Sequence, residues 1–377
     1  MSIIINAPVR AYSFFGVKSR ELVKKIHLLN PNYNIKIFNY NENNTRNDFI
    51  DNEINDLITS YGDVSTPDIW IQFGHPGSFE KRGVKNIGIT ISSYYNPIGE
   101  FVSGCNRMDM ILTYSQYSKV SIENLKYNDV RVTVPVIVLP EYPILFSSGE
   151  SNSSTLLQNV KTKWNFLCEG YWETTDEVEF GGKNKDNIGF VIRTFLDCFK
   201  NTDIRNDIGL ILNVHGNMAS VLDETRLIKK INNIKKEQNI QFKDSPKIYL
   251  INQDLTANEK ISLYKDPKVC ALLSIPQRSD SSQKEIDFVS ISKKPIIYSN
   301  YGSQKEMLSY GGNIGCGSNL KDNGSCPVII DTFTSELKLS MYDMYLNYSY
   351  YKKLVEDNNY ADIFFDKVIY EVLNTII

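Results

Sequence analysis

Phosphate, sugar hydroxyls and a moving proton each call for particular side chains, and this chain places suitable ones at a few positions. Lys183 stands just ahead of the first helix of the chain's second half, where its ammonium could reach a diphosphate; a solvated surface lysine fits the same position. Ser281 and Ser282 are good N-caps for a helix starting near residue 282, and the loop before it could offer amides to phosphate or sugar; as plain caps they need no ligand. Glu285 and Asp287 follow in that helix's first turns, where the dipole favours a carboxylate, and one carboxylate can accept both hydroxyls of a ribose diol. Asp287 is the first choice, because Asp280, Gln283, Lys284 and Asp287 share one helical face while Ile286 and Val289 mark the buried side; Glu285 is the second. His75, in Phe73-Gly74-His75-Pro76-Gly77-Ser78, could bond a sugar hydroxyl, orient an acceptor, act as base, or simply make one structural hydrogen bond. Glu80 to Lys85 adds a short basic cluster that could meet an acceptor phosphate or stay a solvated loop. For His27 and His215 a structural role is expected.

Several chemistries lack their residues. The chain holds no D-x-D triplet for a divalent ion, no G-x-G-x-x-G after a strand, no P-loop and no G-x-S-x-G elbow. The expectation is chemistry without a metal or a resident cofactor.

These residues depend on alternating strands and helices for their placement. Short β-branched runs at Ile3 to Ile5, Ile35 to Phe38, Asp68 to Phe73, Ile87 to Ile91, Met110 to Tyr114 and Val130 to Leu139 alternate with helical patterns such as Leu22, Val23, Ile26 and Leu29. That alternation implies a parallel, doubly wound sheet. A turn-forming stretch from Pro140 to Ser154 is the expected domain boundary. A second series follows: strands at Trp164 to Cys168, Ile208 to Val214, Lys247 to Ile251, Val269 to Ser274 and Pro295 to Tyr298. Helices are expected near 187–199, 221–238 and 282–290, with one opened by the capping box Thr256-x-x-Glu259. Gly311 to Gly317 reads as an irregular loop, and two helices, 336–351 and 360–377, close the chain. The expected fold class is α/β with two Rossmann-like domains, 1–145 and 155–355.

Composition bounds the rest. With 377 residues, 42% hydrophobic, there is material for one large or two ordinary cores. The 41 basic and 44 acidic residues divide evenly, 14 against 15 before residue 150 and 27 against 29 after it, so neither half is a basic arm and affinity by broad phosphate neutralisation is disfavoured. Six dispersed cysteines, without a C-x-x-C pair, argue against a disulfide scaffold or structural zinc. No stretch approaches the roughly 18 apolar residues that span a bilayer, and a cytoplasmic location is expected. The Asn, Ile, Lys and Tyr bias is what A/T-rich codons produce, and hints at a phage, virus or low-GC bacterium.

In order along nearly the whole chain, the sequence resembles the GT-B glycosyltransferases, within them the family-four-like group of phage and bacterial genomes. Asn6-Ala7-Pro8 with Gly16 and Ser19 to Leu22 resembles that group's opening loop and first helix. Pro67 to Ile71, Cys105 to Ile111 and Tyr114 to Lys119 resemble its middle block. Gly181-Gly182-Lys183-Asn184 before Phe190, Phe195 and Phe199 resembles its Arg-Lys-Asn turn and aromatic helix, although the Arg is Gly182. Lys294 to Ile297 with Gly302, Ser303 and Glu306 resembles the segment after the donor loop. The family's two donor-loop acids correspond to Asp280 and Asp287 if the loop is one residue shorter, while an ungapped count back from Pro295 reaches Phe288, and the loop's glycines are absent.

The resemblance implies two domains facing across a cleft, the last helix, about 360–377, packing back on the first. It implies transfer of a sugar, with retention, from a nucleotide-sugar donor such as a UDP-sugar to a hydroxyl acceptor; the A/T-rich, phage-like composition makes hydroxymethylpyrimidine DNA a candidate acceptor beside a cell-surface glycan or a small metabolite. With the resemblance and the residue chemistry taken together, the expected catalytic residues are His75, Lys183 and Asp280, and the expected donor contacts are Gly16, Asn184, Ser281, Ser282, Glu285, Asp287 and Ser303. A noncatalytic nucleotide-sugar or glycan-binding protein with a degraded donor loop is the alternative.

Overall fold

The structure, a computed structural model, describes residues 1–42, 45, 47–60, 65–92, 99–139, 141, 143, 155–172, 186–216, 219–241, 245–279, 281–321, 329–358 and 366–377. The chain divides into two compact units: unit 1 comprises Met1–Glu141 and Phe365–Ile377, unit 2 Tyr142–Asn323 and Ile329–Phe364. The expected connection, Pro140 to Ser154, lies almost wholly outside the described residues.

Unit 1 runs β1 (Ser2–Ala7), α1 (Phe14–Leu29), β2 (Asn34–Asn39), α2 (Asn52–Asn55), β3 (Ile69–Phe73), β4 (Lys85–Ile89), α3 (Gly99–Arg107), β5 (Met110–Thr113), α4 (Gln116–Glu123), β6 (Lys126–Tyr127), β7 (Val130–Arg131) and β8 (Val136–Val138). Six of these strands form a parallel sheet in the order β2-β1-β3-β4-β5-β8. Its strands are almost continuously apolar, as a sheet covered on both faces requires: Ile3, Ile5, Ile37, Ile69, Trp70, Ile71, Ile87 and Ile111 are buried. Where one strand was expected over Val130 to Leu139, the chain makes two. Asn128 and Asp129 turn through positive φ, so β7 pairs back antiparallel with β6, and β8 joins the main sheet after Pro135, which has no N–H to give a ladder.

Unit 2 runs β9 (Trp164–Tyr171), α5 (Ile188–Phe199), β10 (Ile208–His215), α6 (Val221–Glu237), β11 (Lys247–Ile251), α7 (Ala257–Lys265), β12 (Val269–Ser274), α8 (Gln283–Ser292), β13 (Ile296–Ser299), α9 (Gly302–Leu308), β14 (Ile314–Cys316), β15 (Ser318–Lys321), β16 (Ile329–Thr332), α10 (Thr334–Leu346) and α11 (Tyr348–Asp357). The sheet order is β11-β10-β9-β12-β13-β14, parallel throughout. Alternation along the strands feeds two cores. Phe166, Cys168, Leu210 and Leu212 meet α5, α6 and α10 on one face, and Leu167, Ile211 and Leu272 meet α7 and α8 on the other.

The segment expected as an irregular glycine loop contains β14, the sixth strand, paired in parallel with β13. Gly311 and Gly312, both at positive φ, make the tight entry, and a Cβ on Gly312 would lie 2.4 Å from Tyr351 O. The hairpin β15–β16 that follows was not anticipated. Nor was the break at Asn347 that divides residues 336–351 between α10 and α11. The last helix, α12 (Asp366–Ile376), belongs to unit 1: it packs on α1, Lys25 Nζ lies 5.3 Å from the Tyr370 ring centroid, and Lys85 donates to Ile376 O at 2.6 Å.

Candidate functional site

Open α/β sheets place ligands beyond the carboxyl ends of their strands, where the strand order reverses. In unit 2 that point lies between β9 and β12, and the sequence supplies polar residues there. β9 ends on Glu169-Gly170-Tyr171, β12 ends on Ser274, and residues 275–282 lead into α8.

Glu285, in the first turn of α8, is 3% exposed. Its Oε1 accepts a short hydrogen bond from Ser274 Oγ and another from Gln304 Nε2 at 3.0 Å, and Lys284 Nζ lies 3.7 Å away. All these partners converge on one oxygen. Among the described residues, Oε2 has no hydrogen-bond partner. Lys284 also donates to Glu169 O at 3.0 Å and stands 3.8 Å from Asp186 Oδ1. Burial works to lower its pKa, but Glu285, Asp186 and Glu169 outweigh it and hold the ammonium above the ordinary lysine value. Glu169 is itself tied down, accepting from Asn213 Nδ2 at 2.8 Å and from Tyr264 Oη at 2.5 Å. The edge therefore carries three carboxylates against one ammonium, an environment suited to hydrogen-bond donors such as hydroxyls.

Asp287 is also buried, at 6%, and its Oδ1 accepts from Gln283 Nε2 at 2.7 Å. Burial extends around this helix, since Gln283, Glu285, Ile286, Asp287, Phe288 and Val289 are all buried, so α8 has no solvated polar face on this stretch. Periodicity marks Ile286 and Val289 as buried but does not reveal that the carboxylates are buried too, because their partners come from other elements.

The loop before α8 is held by its neighbours rather than by glycines. Ser303 N donates to Ser279 O and Gln304 N to Ser279 Oγ, both at 2.9 Å, while Ile330 N of β16 donates to Gln277 O at 2.9 Å. Gly302 sits at φ +63°, and a Cβ there would lie 2.4 Å from Ser279 O, so the one glycine this contact needs is on α9. Ser282 occupies the N-cap position but makes no side-chain cap; its Oγ pairs with Ser303 Oγ at 2.8 Å, and Ser281 Oγ accepts from Gln283 N at 3.3 Å. Gln304, fully buried, links this loop to the sheet: Nε2 reaches Ser274 Oγ and Glu285 Oε1, and Oε1 accepts from Ser299 N at 3.2 Å. Sequence reasoning missed Gln304, Glu169, Asn213 and Tyr264; the polar residues ending strands β9, β10 and β12 are the signal that could have pointed to this edge. Lys183, Asn184 and Asp280 lie outside the described residues.

In unit 1 the order reverses between β1 and β3. Gly16, in the first turn of α1, lets the helix approach the loop after β1: a Cβ would fall 2.1 Å from Ala11 O. Arg20, 7% exposed, donates from Nη1 to Val9 O at 2.7 Å and Ala11 O at 2.8 Å; burial lowers its pKa to about 10, which leaves it charged at neutral pH. His75 follows β3 and is exposed, its ring edge-on to Phe101. Its Nδ1 accepts from Gly77 N at 3.1 Å, and burial lowers its pKa against the opposing pull of Glu100. The basic cluster is taken up internally: Lys81 pairs with Asp109 at 3.2 Å, Arg82 with Glu80 at 2.5 Å, and Lys85 caps α12. His27 is exposed on α1, and His215 Nδ1 lies 3.2 Å from Gly216 O. Among the described residues no group of three or more His, Cys, Asp or Glu is arranged to hold a metal, and no helix is long and apolar enough to cross a membrane.

No protein-family model and no curated protein matches this chain. Solved structures do. Anabaena HepE in complex with UDP-glucose aligns over 100% of both chains with TM-score 0.63 and 12% identity. A UDP-forming α,α-trehalose-phosphate synthase from Burkholderia xenovorans aligns over 100% of this chain and 98% of its own, with TM-score 0.62 and 9% identity. The chain has the GT-B fold. An Escherichia coli trehalose-6-phosphate structure bound with UDP-2-fluoro glucose aligns as broadly, covering 100% of this chain and 98% of its own, at TM-score 0.60 and 8% identity. At such identities the likeness of a GT-B chain to these proteins is one of fold.

Proposed function

We propose that the chain is a nucleotide-sugar-dependent glycosyltransferase that binds a UDP-sugar through unit 2 and passes the sugar to a hydroxyl acceptor held by unit 1. The observation that carries this reading is Glu285, a buried carboxylate at the strand-order reversal of unit 2 with its protein partners gathered on Oε1 and Oε2 left to accept. A ribose diol supplies the two adjacent donors such an oxygen lacks. The UDP-glucose in HepE and the UDP-forming reaction named for the Burkholderia synthase support a uridine donor.

In this reading Glu285 takes the role first given to Asp287, whose Oδ1 is already engaged by Gln283. Departure of the nucleotide needs charge stabilised on the diphosphate, and Lys183 with Asn184 would supply it, without a metal. Asp280, Ser281 and Ser282 border the same loop, and Ser303 fixes it. His75 acts as a donor rather than a base: with Nδ1 accepting from Gly77 and the pKa lowered, the neutral ring carries its proton on Nε2. Retention follows from the family-four-like resemblance. The acceptor is a glycan or hydroxymethylpyrimidine DNA, and the even charge balance favours the glycan.

Release of UDP from a panel of UDP-sugars, with and without glycans and hydroxymethylated DNA, tests the reading. Acceptor-dependent release is expected, and Glu285→Gln should weaken UDP binding by on the order of 1.5–3 kcal/mol, roughly ten- to hundredfold. A parent protein that binds no UDP-sugar would overturn it. Binding without turnover would favour the noncatalytic reading, which the glycine-free loop 275–282 supports.

A further inference from the structure

Helix α10 is apolar on two sides. Leu337, Met341 and Met344 are buried in the core of unit 2. On the opposite side Leu339 is 71% exposed, Tyr342 42% and Leu346 60%, at a spacing that puts all three on one helical face. Tyr350 of α11, 61% exposed, extends this row past Asn347, where Asn347 N donates to Asp343 O at 2.9 Å and Tyr351 N to Asn347 O at 3.2 Å, so helical bonding carries on. The Tyr342 ring stacks on Phe199, with centroids 6.4 Å apart, which fixes the middle of the row. A helix that is apolar all round belongs in a core or an interface. The row opens on the order of 400 Å² of apolar surface, the size of patch that marks an interaction site.

We propose that this face is a homodimer interface, in which α10 and α11 pair antiparallel with the same helices of a second copy about a two-fold axis at the middle of the row. The charges at its ends select that partner. Glu336 lies three residues before Leu339, where the row begins, and Lys353 three residues after Tyr350, where it ends. An antiparallel two-fold sets Leu339 opposite Tyr350 and Glu336 opposite Lys353, twice over. Both charges are open to such a contact. Lys353 is exposed and has no ion-pair partner among the described residues, and Glu336, also exposed, gives Oε2 to Gly317 N at 2.6 Å but has no cation beside it. A membrane fits less well, because an interfacial helix flanks its apolar face with lysine and arginine, whereas this row ends on opposite signs. Two rows together bury roughly 800 Å² of apolar surface, and their polar flanks bring the total to the lower end of the ~1,200–2,000 Å² of specific interfaces.

Sedimentation velocity on the full chain, with circular dichroism as the check on folding, tests the pairing. The parent should dimerise with a Kd on the order of 10 μM, and Leu346→Glu should raise that value roughly hundredfold. Lys353→Glu and Glu336→Lys each set like charges opposite one another, and each alone should raise Kd roughly tenfold. Mixed together, the two variants should form a heterodimer within about threefold of the parent's Kd, because both end contacts then join a lysine to a glutamate. Glu336→Lys also gives up the Gly317 contact; should it unfold, Lys353→Glu and Leu346→Glu decide by themselves. A parent that stays monomeric at about 100 μM overturns the assignment. So does a dimer that Leu346→Glu leaves intact, or a mixture of folded variants that fails to pair. Flotation of a monomeric parent with phosphatidylglycerol vesicles, lost in Leu346→Glu, overturns it in favour of a membrane.

Discussion

The two units place their strand-order reversals at corresponding positions and finish them in opposite ways. In unit 1 the loop after β1 is closed from within: Arg20 satisfies Val9 and Ala11 carbonyls, Gly16 lets α1 press against the loop, and Ser13 Oγ accepts from Gly16 N. The charge there is spent on the protein's own backbone. In unit 2 the corresponding edge gathers Glu169, Asp186 and Glu285 around Lys284, and leaves Glu285 Oε2 and Gln277 Oε1 without partners among the described residues. Folding favours satisfied polar groups, so a crevice that keeps acceptors open gives up stability that a bound ligand can return. The strand orders differ too. Unit 2 continues outward from β9 through β10 and β11, whereas in unit 1 the position next beyond β2 holds, among the described residues, a single bridge between Ile37 and Ile58.

The comparison breaks most easily at Lys284. Lys284→Met would leave three carboxylates facing one another at the edge of unit 2, and should cost on the order of 3 kcal/mol, since removing one partner strands the others. Chemical denaturation would measure it; a variant as stable as the parent would mean that the carboxylates do not depend on the ammonium. In unit 1 the largest effect should come from sterics. Gly16→Ala puts a methyl 2.1 Å from the Ala11 carbonyl and should cost about 1–3 kcal/mol by the same measurement, and a neutral result would show that the loop after β1 yields freely.

The smallest effect concerns His75. Its folded pKa is lowered, so the native state holds this proton less tightly than the unfolded chain. Its contribution is present above the ordinary imidazole value near 6.5 and is lost as pH falls through that value toward the folded pKa. An NMR titration should give a midpoint below about 6.5; a midpoint above it would mean that Glu100 dominates over burial and that the ring is cationic at the pH where it was assigned a donor role.

Much of the fold was legible because it rests on local pattern. The capping box at Thr256 and Glu259 forms with both hydrogen bonds, and the strands at Lys247–Ile251 and Val269–Ser274 fall where the short apolar runs put them. What escaped depends on neighbours remote in sequence. Ile314-Gly315-Cys316 carries too little apolar pattern to be read as a strand, and becomes one because β13 offers an open edge. Val130 to Leu139 reads as one strand because the pattern ignores the turn at Asn128 and Asp129 that sends its first residues back onto β6. In the candidate site, residue types on the loop and α8 were legible, whereas the ranking of Asp287 over Glu285 rested on helical faces that burial on all sides erases.

By itself, then, the order of residues determined two βα series, their parallel sheets and the loops able to carry polar chemistry, since hydrophobic period and capping act within a few residues. Only the tertiary structure decided which polar atoms are used up. Glu285 meets Gln304 from 19 positions away, Glu169 meets Tyr264 from 95, and Gln277 Oε1 meets no partner among the described residues. A hydrogen bond is made or missed over a few tenths of an ångström, and no local pattern carries that information across such separations.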